Sequence, residues 1–305
     1  MPGTAVRIIE ASPADLGRLY ALTSKALTLD TFSAELLHEK LFFNPNPDRD
    51  DYHTLIAEAQ NETVGMLQHV IRADEGLAWL GLFAVAREHR GRSIGRRLYD
   101  LALESWRAKH IATVDVLTIP ANYLVPGIDP RYTPAVCFVE SRGFAQRGQR
   151  ANMRARLDRD FDTSEREAVF KAQGIEVRRA QAGDRELIER FFARQFGQGW
   201  LAETRLGMSR EPPTVHLALR AGEIIAFAVH STMNQEWGNF GPMGTADEAR
   251  NIGLGRVLLY RCMADLKTTG LKSAVIPWVG PHRFYCKLLN CAIDRVFWQY
   301  RLELP

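Results

Sequence analysis

Arg250-Asn251-Ile252-Gly253-Leu254-Gly255-Arg256 decides how this chain is read. It stands between a strand-like stretch, Asn239-Phe240-Gly241-Pro242-Met243-Gly244-Thr245, and an apolar series at helical spacing, Leu254, Leu258, Cys262 and Leu266. The pattern predicts a strand, a loop and an amphipathic helix. Glycine within a strand signals a bulge or the close approach of a ligand to the backbone, and Pro242 lacks the N–H that a ladder requires. Gly253 and Gly255 let successive backbone N–H groups turn toward one anion, and the helix N-terminus adds its partial positive charge. Arg250 and Arg256 strengthen that field. The Lys-Ser/Thr pair of a nucleoside-triphosphate loop is missing, and the glycine spacing is not a dinucleotide fingerprint.

The chain carries this arrangement twice. Residues 79–121 align without a gap on residues 239–281, an offset of 160. Gly81 falls on Gly241, Arg90 on Arg250 and Gly95 on Gly255, while Ile94, Leu98, Ala102 and Trp106 repeat the apolar helix face. Alternating runs at 54–58 and 64–70 correspond to 215–219 and 225–231, each pair joined by a short polar turn, so each half contains a hairpin. The order expected per half is strand, helices, three strands, helix, strand, helix, strand. Two domains are expected, 1–157 and 175–305, joined at 158–174 by a charged connector, in part helical, with little apolar periodicity.

A length of 305 residues accommodates two domains of ordinary size, and 46% hydrophobic with 25% charged residues excludes a disordered chain. Lys plus Arg number 39 against 36 Asp plus Glu, so no whole-chain field calls for a nucleic acid or an anionic membrane as partner. The longest strongly apolar stretch, 77–86, falls far short of the roughly 20 residues of a membrane-spanning helix. With no signal-peptide pattern at the start, a cytoplasmic protein is expected. Cys137, Cys262, Cys286 and Cys291 form no CxxC pair and have no histidine at ligand spacing. No metal site is therefore expected, and the thiols read as small core hydrophobes.

RxxGxG between a strand and a helix, followed by a strand at 274–279 and a helix start with Phe284-Tyr285, resembles motif A and its surroundings in the Gcn5-related N-acetyltransferases. The resemblance extends to both halves and nearly the whole chain. It implies a mixed α/β fold of two tandem domains, each a central, mostly antiparallel, splayed sheet flanked by helices. It implies acetyl-CoA as the coenzyme, with its pyrophosphate on Arg250, Asn251, Ile252, Gly253, Leu254, Gly255 and Arg256 and its pantetheine arm along Met243, Gly244 and Thr245. Backbone N–H groups near Met243 and Gly244 would polarise the thioester carbonyl, and transfer to a small-molecule primary amine would be direct, in a ternary complex. Tyr285 occupies the family position of the acid that reprotonates the departing thiolate, a task open to a phenol of ordinary pKa about 10. Glu236, Asp247 and His230 are candidates for the base that frees the amine, with water as the alternative.

The first half departs from this pattern. Ser93 replaces the first glycine, and Phe138, which aligns with Tyr285 once a 13-residue insertion at 122–134 is counted, cannot donate a proton. A catalytically degenerate first domain is expected. Arg90, Gly91, Ser93, Gly95 and Arg96 read either as a second coenzyme site or as a solvated, arginine-rich helix start. Asp129 and Tyr132 in the insertion read either as acceptor-binding groups or as loop packing. The insertion and Trp278-Val279-Gly280-Pro281 are similar to segments of glucosaminide N-acetyltransferases in bacterial amino-sugar recycling, which implies an amino-sugar acceptor. A peptide, antibiotic or thiol-metabolite acceptor remains open, as does a non-catalytic acyl-CoA-binding scaffold.

Overall fold

The computed structural model describes residues 6–305, and the chain separates into two compact units. The first takes in the chain up to Arg150 together with Phe297–Pro305, and the second is Ala151–Val296. These limits differ from the expected 157 and 175 for two reasons. The stretch read as a connector contains a helix, Ser164–Ala172, whose Phe170 is buried in the core of the second unit. The last strand ends in the first unit, where Arg301, Leu302 and Glu303 pair with Asp115, Val114 and Thr113. Alternation along a strand says which face is apolar and nothing about which sheet it joins.

In the first unit the order is β1 (Arg7–Glu10), α1 (Leu16–Ala26), α2 (Ala34–Phe42), β2 (Asp51–Ala59), β3 (Glu62–Arg72), β4 (Leu77–Val85), α3 (Ile94–Ala108), β5 (Thr113–Val116) and α4 (Thr133–Ser141). Strand β6 (Ala145–Arg156) starts in that unit and ends in the second, which continues with α5 (Ser164–Ala172), β7 (Ile175–Arg179), α6 (Arg185–Gln195) and α7 (Gln198–Met208). Then come β8 (Val215–Arg220), β9 (Glu223–His230), β10 (Phe240–Thr245), α8 (Leu254–Thr268), β11 (Ser273–Ile276), α9 (His282–Leu289) and β12 (Ala292–Glu303).

Both hairpins form as the alternation predicts. Gln60-Asn61 and Ala221-Gly222 all have positive φ, the conformation that lets a two-residue turn follow the twist of its strands. Strands β1 to β4 make an antiparallel meander, and so do β7 to β10. Along α3, Ile94, Leu98, Ala102 and Trp106 are buried, and along α8 Leu254, Leu258, Cys262 and Leu266 are buried in the same rhythm. Apolar faces of this kind carry most of a helix's stability in a folded protein. The cysteines divide: Cys262 and Cys291 are core residues, whereas Cys137 and Cys286 are exposed, because they fall on the outer faces of α4 and α9.

The first core also holds a titratable group. His69 on β3 is buried, stacks on His53 at 4.9 Å and meets Trp106 edge-on, and its Nδ1 has no hydrogen-bond partner among the described residues. Burial, helped by the neighbouring His53, pushes its pKa down to about 4. The folded state therefore resists a proton that the unfolded chain accepts below about pH 6.5, and stability falls as pH drops from 6.5 toward 4. Between pH 7 and pH 5 the protein is expected to lose about 2 kcal/mol from this residue. Urea unfolding at the two pH values checks it: His69→Phe should flatten that loss, and an equal loss in the variant would assign it elsewhere.

Candidate active site

Strands β4 and β10 each run beside a second strand and then part from it. In the first unit β5 pairs in parallel with Leu77–Leu80 of β4 and no further, apart from the bond of Leu117 N–H to Leu80 C=O. In the second, β10 and β11 meet through the Asn239–Val275 bridge and the bond of Val275 N–H to Gly238 C=O. The register of β10 on β9 slips between Phe240 and Met243, and Gly241-Pro242 forms the bulge. Ala246 N–H donates to Ile225 C=O at 2.9 Å. Antiparallel alternation then directs the Gly244 N–H to β9 and leaves those of Met243 and Thr245 on the opened edge. Of the expected carbonyl-polarising pair, Met243 is so placed and Gly244 is not. Gly244 is required for packing, since a Cβ there would lie 2.5 Å from Phe196 and 2.9 Å from Phe227.

The two units differ at this bulge. A Cβ built on Gly241 meets nothing within 4 Å, whereas one on Gly81 would lie 2.3 Å from Gln68 Oε1. Gln68 fills the position that Val229 has in the second unit, accepts from Leu82 N–H at 3.2 Å and donates to Lys40 C=O. Lys40 is itself buried, bonded to Glu39 and to Asn122 from the insertion. The splayed region of the first unit is thus filled by its own side chains.

The loops before α3 and α8 share one backbone path. Gly91 and Ser93 have φ of +73° and +61°, and Asn251 and Gly253 have +65° and +98°. Among the described residues, the N–H groups of 251–255 find no acceptor, and neither do those of 91–95. A row of inward-turned N–H groups at a helix start is an anion cradle. The arginines behave less uniformly than their spacing suggests. Arg250 pairs with Asp247 at 2.6 Å, which ties up that candidate base, and Arg256 lies over the Tyr260 ring. Arg90 donates to Val85 C=O. Arg166 of α5, which the sequence reading passed over, donates to Ile252 C=O at the loop.

Tyr285 is buried among Phe240, Phe284 and the second core, and burial pushes its phenol pKa up. It therefore stays protonated at any working pH, as a proton donor must. Its first-unit counterpart is not Phe138. Half-buried Phe138 packs on Gly95 as half-buried Phe284 packs on Gly255, so buried Val139 takes the place of Tyr285 and the insertion counts 14 residues. The error is one residue of helix register. The first unit still lacks a donor at that point.

The remaining candidates are scattered. Asp129 is buried against Arg131, and the Tyr132 hydroxyl donates to Asp30 and accepts from Leu29 N–H, so both brace the insertion within the first unit. Exposed Glu236 lies in the second unit, in the turn Gln235–Trp237. His230 is buried, bonded to Ser231 and to Asp265 Oδ2, which also accepts from His216 and Arg179. Burial alone would raise the Asp265 pKa, yet the hydrogen bonds from His216 and His230 hold it well below the usual carboxylate range.

His216, His230 and Asp265 lie close enough to share a cation. Arg261 Nε donates to His216 Nδ1 at 3.0 Å, which puts that ring's proton on Nε2, facing Asp265 at 2.7 Å. No ring lone pair is left on His216 for a metal. The group is a hydrogen-bonded network that ties β8, β9 and α8 together.

The sequence model of the Acetyltransferase (GNAT) family matches residues 18–123 and again 183–288. No curated protein matches the chain. Among solved structures it is similar to the GCN5-related glucosamine N-acetyltransferase region of a fungal multi-domain GH3 β-N-acetylglucosaminidase, at 17% identity and a TM-score of 0.81. That match covers 99% of this chain and 38% of the fungal one, so the chain spans well under half of that protein. A GCN5-related N-acetyltransferase from Sphaerobacter thermophilus aligns at 18% identity and TM-score 0.72, covering 98% and 95%. A tandem GNAT protein from the clavulanic acid biosynthesis pathway aligns at 14% and 0.73, covering 98% of each chain. With the splayed strands and the loop–helix cradle present in each half, and the family pattern matched twice, the chain belongs to the acetyltransferase (GNAT) family as a tandem member.

Proposed function

We propose that the second unit transfers an acetyl group from acetyl-CoA to the primary amine of a small molecule, an amino sugar, and that the first unit keeps the fold and the anion cradle without turning over. The observation that carries this reading is the contrast at the bulge: open at Gly241 with Tyr285 nearby in the sequence pattern, filled by Gln68 at Gly81 with Val139 in place of a phenol. The residues fit the coenzyme, since the N–H groups of 251–255 are without acceptors among the described residues and the edge of Met243 and Thr245 is open to an extended arm. Acetyl-CoA, when bound, supplies the activated thioester. Met243 N–H is the donor available to polarise a carbonyl, and Tyr285 Oη keeps the proton that a departing sulfur needs. Glu236, an exposed acid in the turn between β9 and β10, is the group we assign to the acceptor amine. The likeness to a glucosamine N-acetyltransferase region supports the amino sugar as first choice.

The test is thiol release from acetyl-CoA with an amino sugar, a peptide N-terminus, an aminoglycoside and a small thiol as acceptors. Release that depends on the amino sugar supports the reading; preference for another acceptor replaces that substrate, and coenzyme binding without release from any acceptor favours a scaffold. Arg250→Ala is expected to weaken acetyl-CoA binding about ten-fold through loss of a charge-assisted contact, with Arg90→Ala sparing turnover. The inverse result, turnover lost in the Arg90 variant alone, makes the first unit the catalyst.

A further inference from the structure

Helix α5 lies outside the repeated motif, yet it delivers an arginine to the loop before α8. Arg166 Nη2 donates to Ile252 C=O at 3.3 Å, and its guanidinium lies over the Phe170 ring, 5.4 Å from the centroid. Phe170 is buried in the second core, so the platform under the guanidinium is rigid. Arg166 is exposed and makes no ion pair among the described residues, whereas Arg250 is paired with Asp247 and Arg256 is drawn onto Tyr260. The glycine of the loop is shaped to this neighbour as well: a Cβ on Gly253 would stand 3.1 Å from Arg166 Nη2.

We propose that Arg166 is a phosphate-binding residue of the second unit, adding from outside the motif a cation to those of the loop's own arginines. The proposal rests on the acetyl-CoA reading. In the free protein a single long hydrogen bond to Ile252 C=O leaves four of the five guanidinium N–H groups for an anion seated on the 251–255 N–H row. A planar guanidinium stacked on an aromatic ring is already oriented for two parallel contacts to phosphate, so little side-chain freedom is lost on binding.

The experiment is calorimetry of acetyl-CoA, dephospho-coenzyme A and adenosine 3′,5′-bisphosphate on the full chain, wild type, Arg166→Gln and Arg166→Lys, at two salt concentrations. Arg166→Gln is expected to weaken acetyl-CoA about ten-fold and to flatten the salt dependence of affinity, with Arg166→Lys in between. A deficit that persists with dephospho-coenzyme A assigns the contact to the pyrophosphate; a deficit confined to ligands carrying the 3′-phosphate assigns it there. If the wild type binds acetyl-CoA and Arg166→Gln binds equally with an unchanged salt slope, the arginine is a brace for the loop and the inference is overturned. A wild type that does not bind acetyl-CoA overturns the coenzyme reading itself. Arg166 is exposed, so unchanged circular dichroism is expected in both variants.

Discussion

Tyr285→Phe is expected to lower turnover by about 10² to 10⁴ while leaving acetyl-CoA affinity within two-fold. The substitution removes one oxygen from a ring that keeps its packing against Phe240 and Phe284. No hydrogen bond to the Tyr285 hydroxyl occurs among the described residues, so the fold loses no partner with it. Stability should stay the same or rise slightly. Burial pushes the phenol pKa up, so the wild-type rate should show no alkaline fall attributable to Tyr285 between pH 6 and pH 10. Steady-state thiol release and coenzyme titration on the two proteins settle the matter: wild-type turnover in the variant reduces Tyr285 to core packing.

Gly253→Val should cut acetyl-CoA affinity by about a hundred-fold or more. Gly253 stands at φ +98°, beyond the left-handed well that Ser93 occupies at +61°, and a β-branched residue reaches it only under strain of roughly 1 to 3 kcal/mol. The loop then relaxes by rotating the peptides whose N–H groups form the cradle, and two charge-assisted bonds lost together amount to about that factor. The added side chain also meets Arg166. Calorimetry, with circular dichroism to establish folding, tests this; unchanged affinity in a folded variant puts the coenzyme elsewhere. Gly253→Ala should fall between, because alanine carries the backbone strain without the branched bulk.

Much of the molecule was legible in the residues. The repeat at an offset of 160, the hairpins and the apolar faces of α3 and α8 follow from periodicity, because local spacing alone decides which side chains share a face. The loop–helix cradle is legible for the same reason, since glycine spacing acts within a few bonds. Phe138 shows where such reading slips: an insertion of 13 or 14 residues looks alike in sequence, and one residue rotates a helix position by about 100°.

Other features are set by long-range contacts that leave no local trace. Gln68 is an ordinary polar residue on a strand until β4 brings Gly81 and Leu82 against it. Arg166 belongs to a stretch read as connector until Phe170 packs into the second core and carries the arginine to Ile252. His230, a candidate base by its position after β9, is withdrawn by Asp265 from 35 residues away. Sequence alone therefore determined the family, the two-fold repeat and the cradle, all properties of neighbours along the chain. Which cradle has an open bulge beside it, and which charges remain free to meet a phosphate, only the tertiary structure decided, because burial and pairing between distant residues remove some groups from service and leave others exposed.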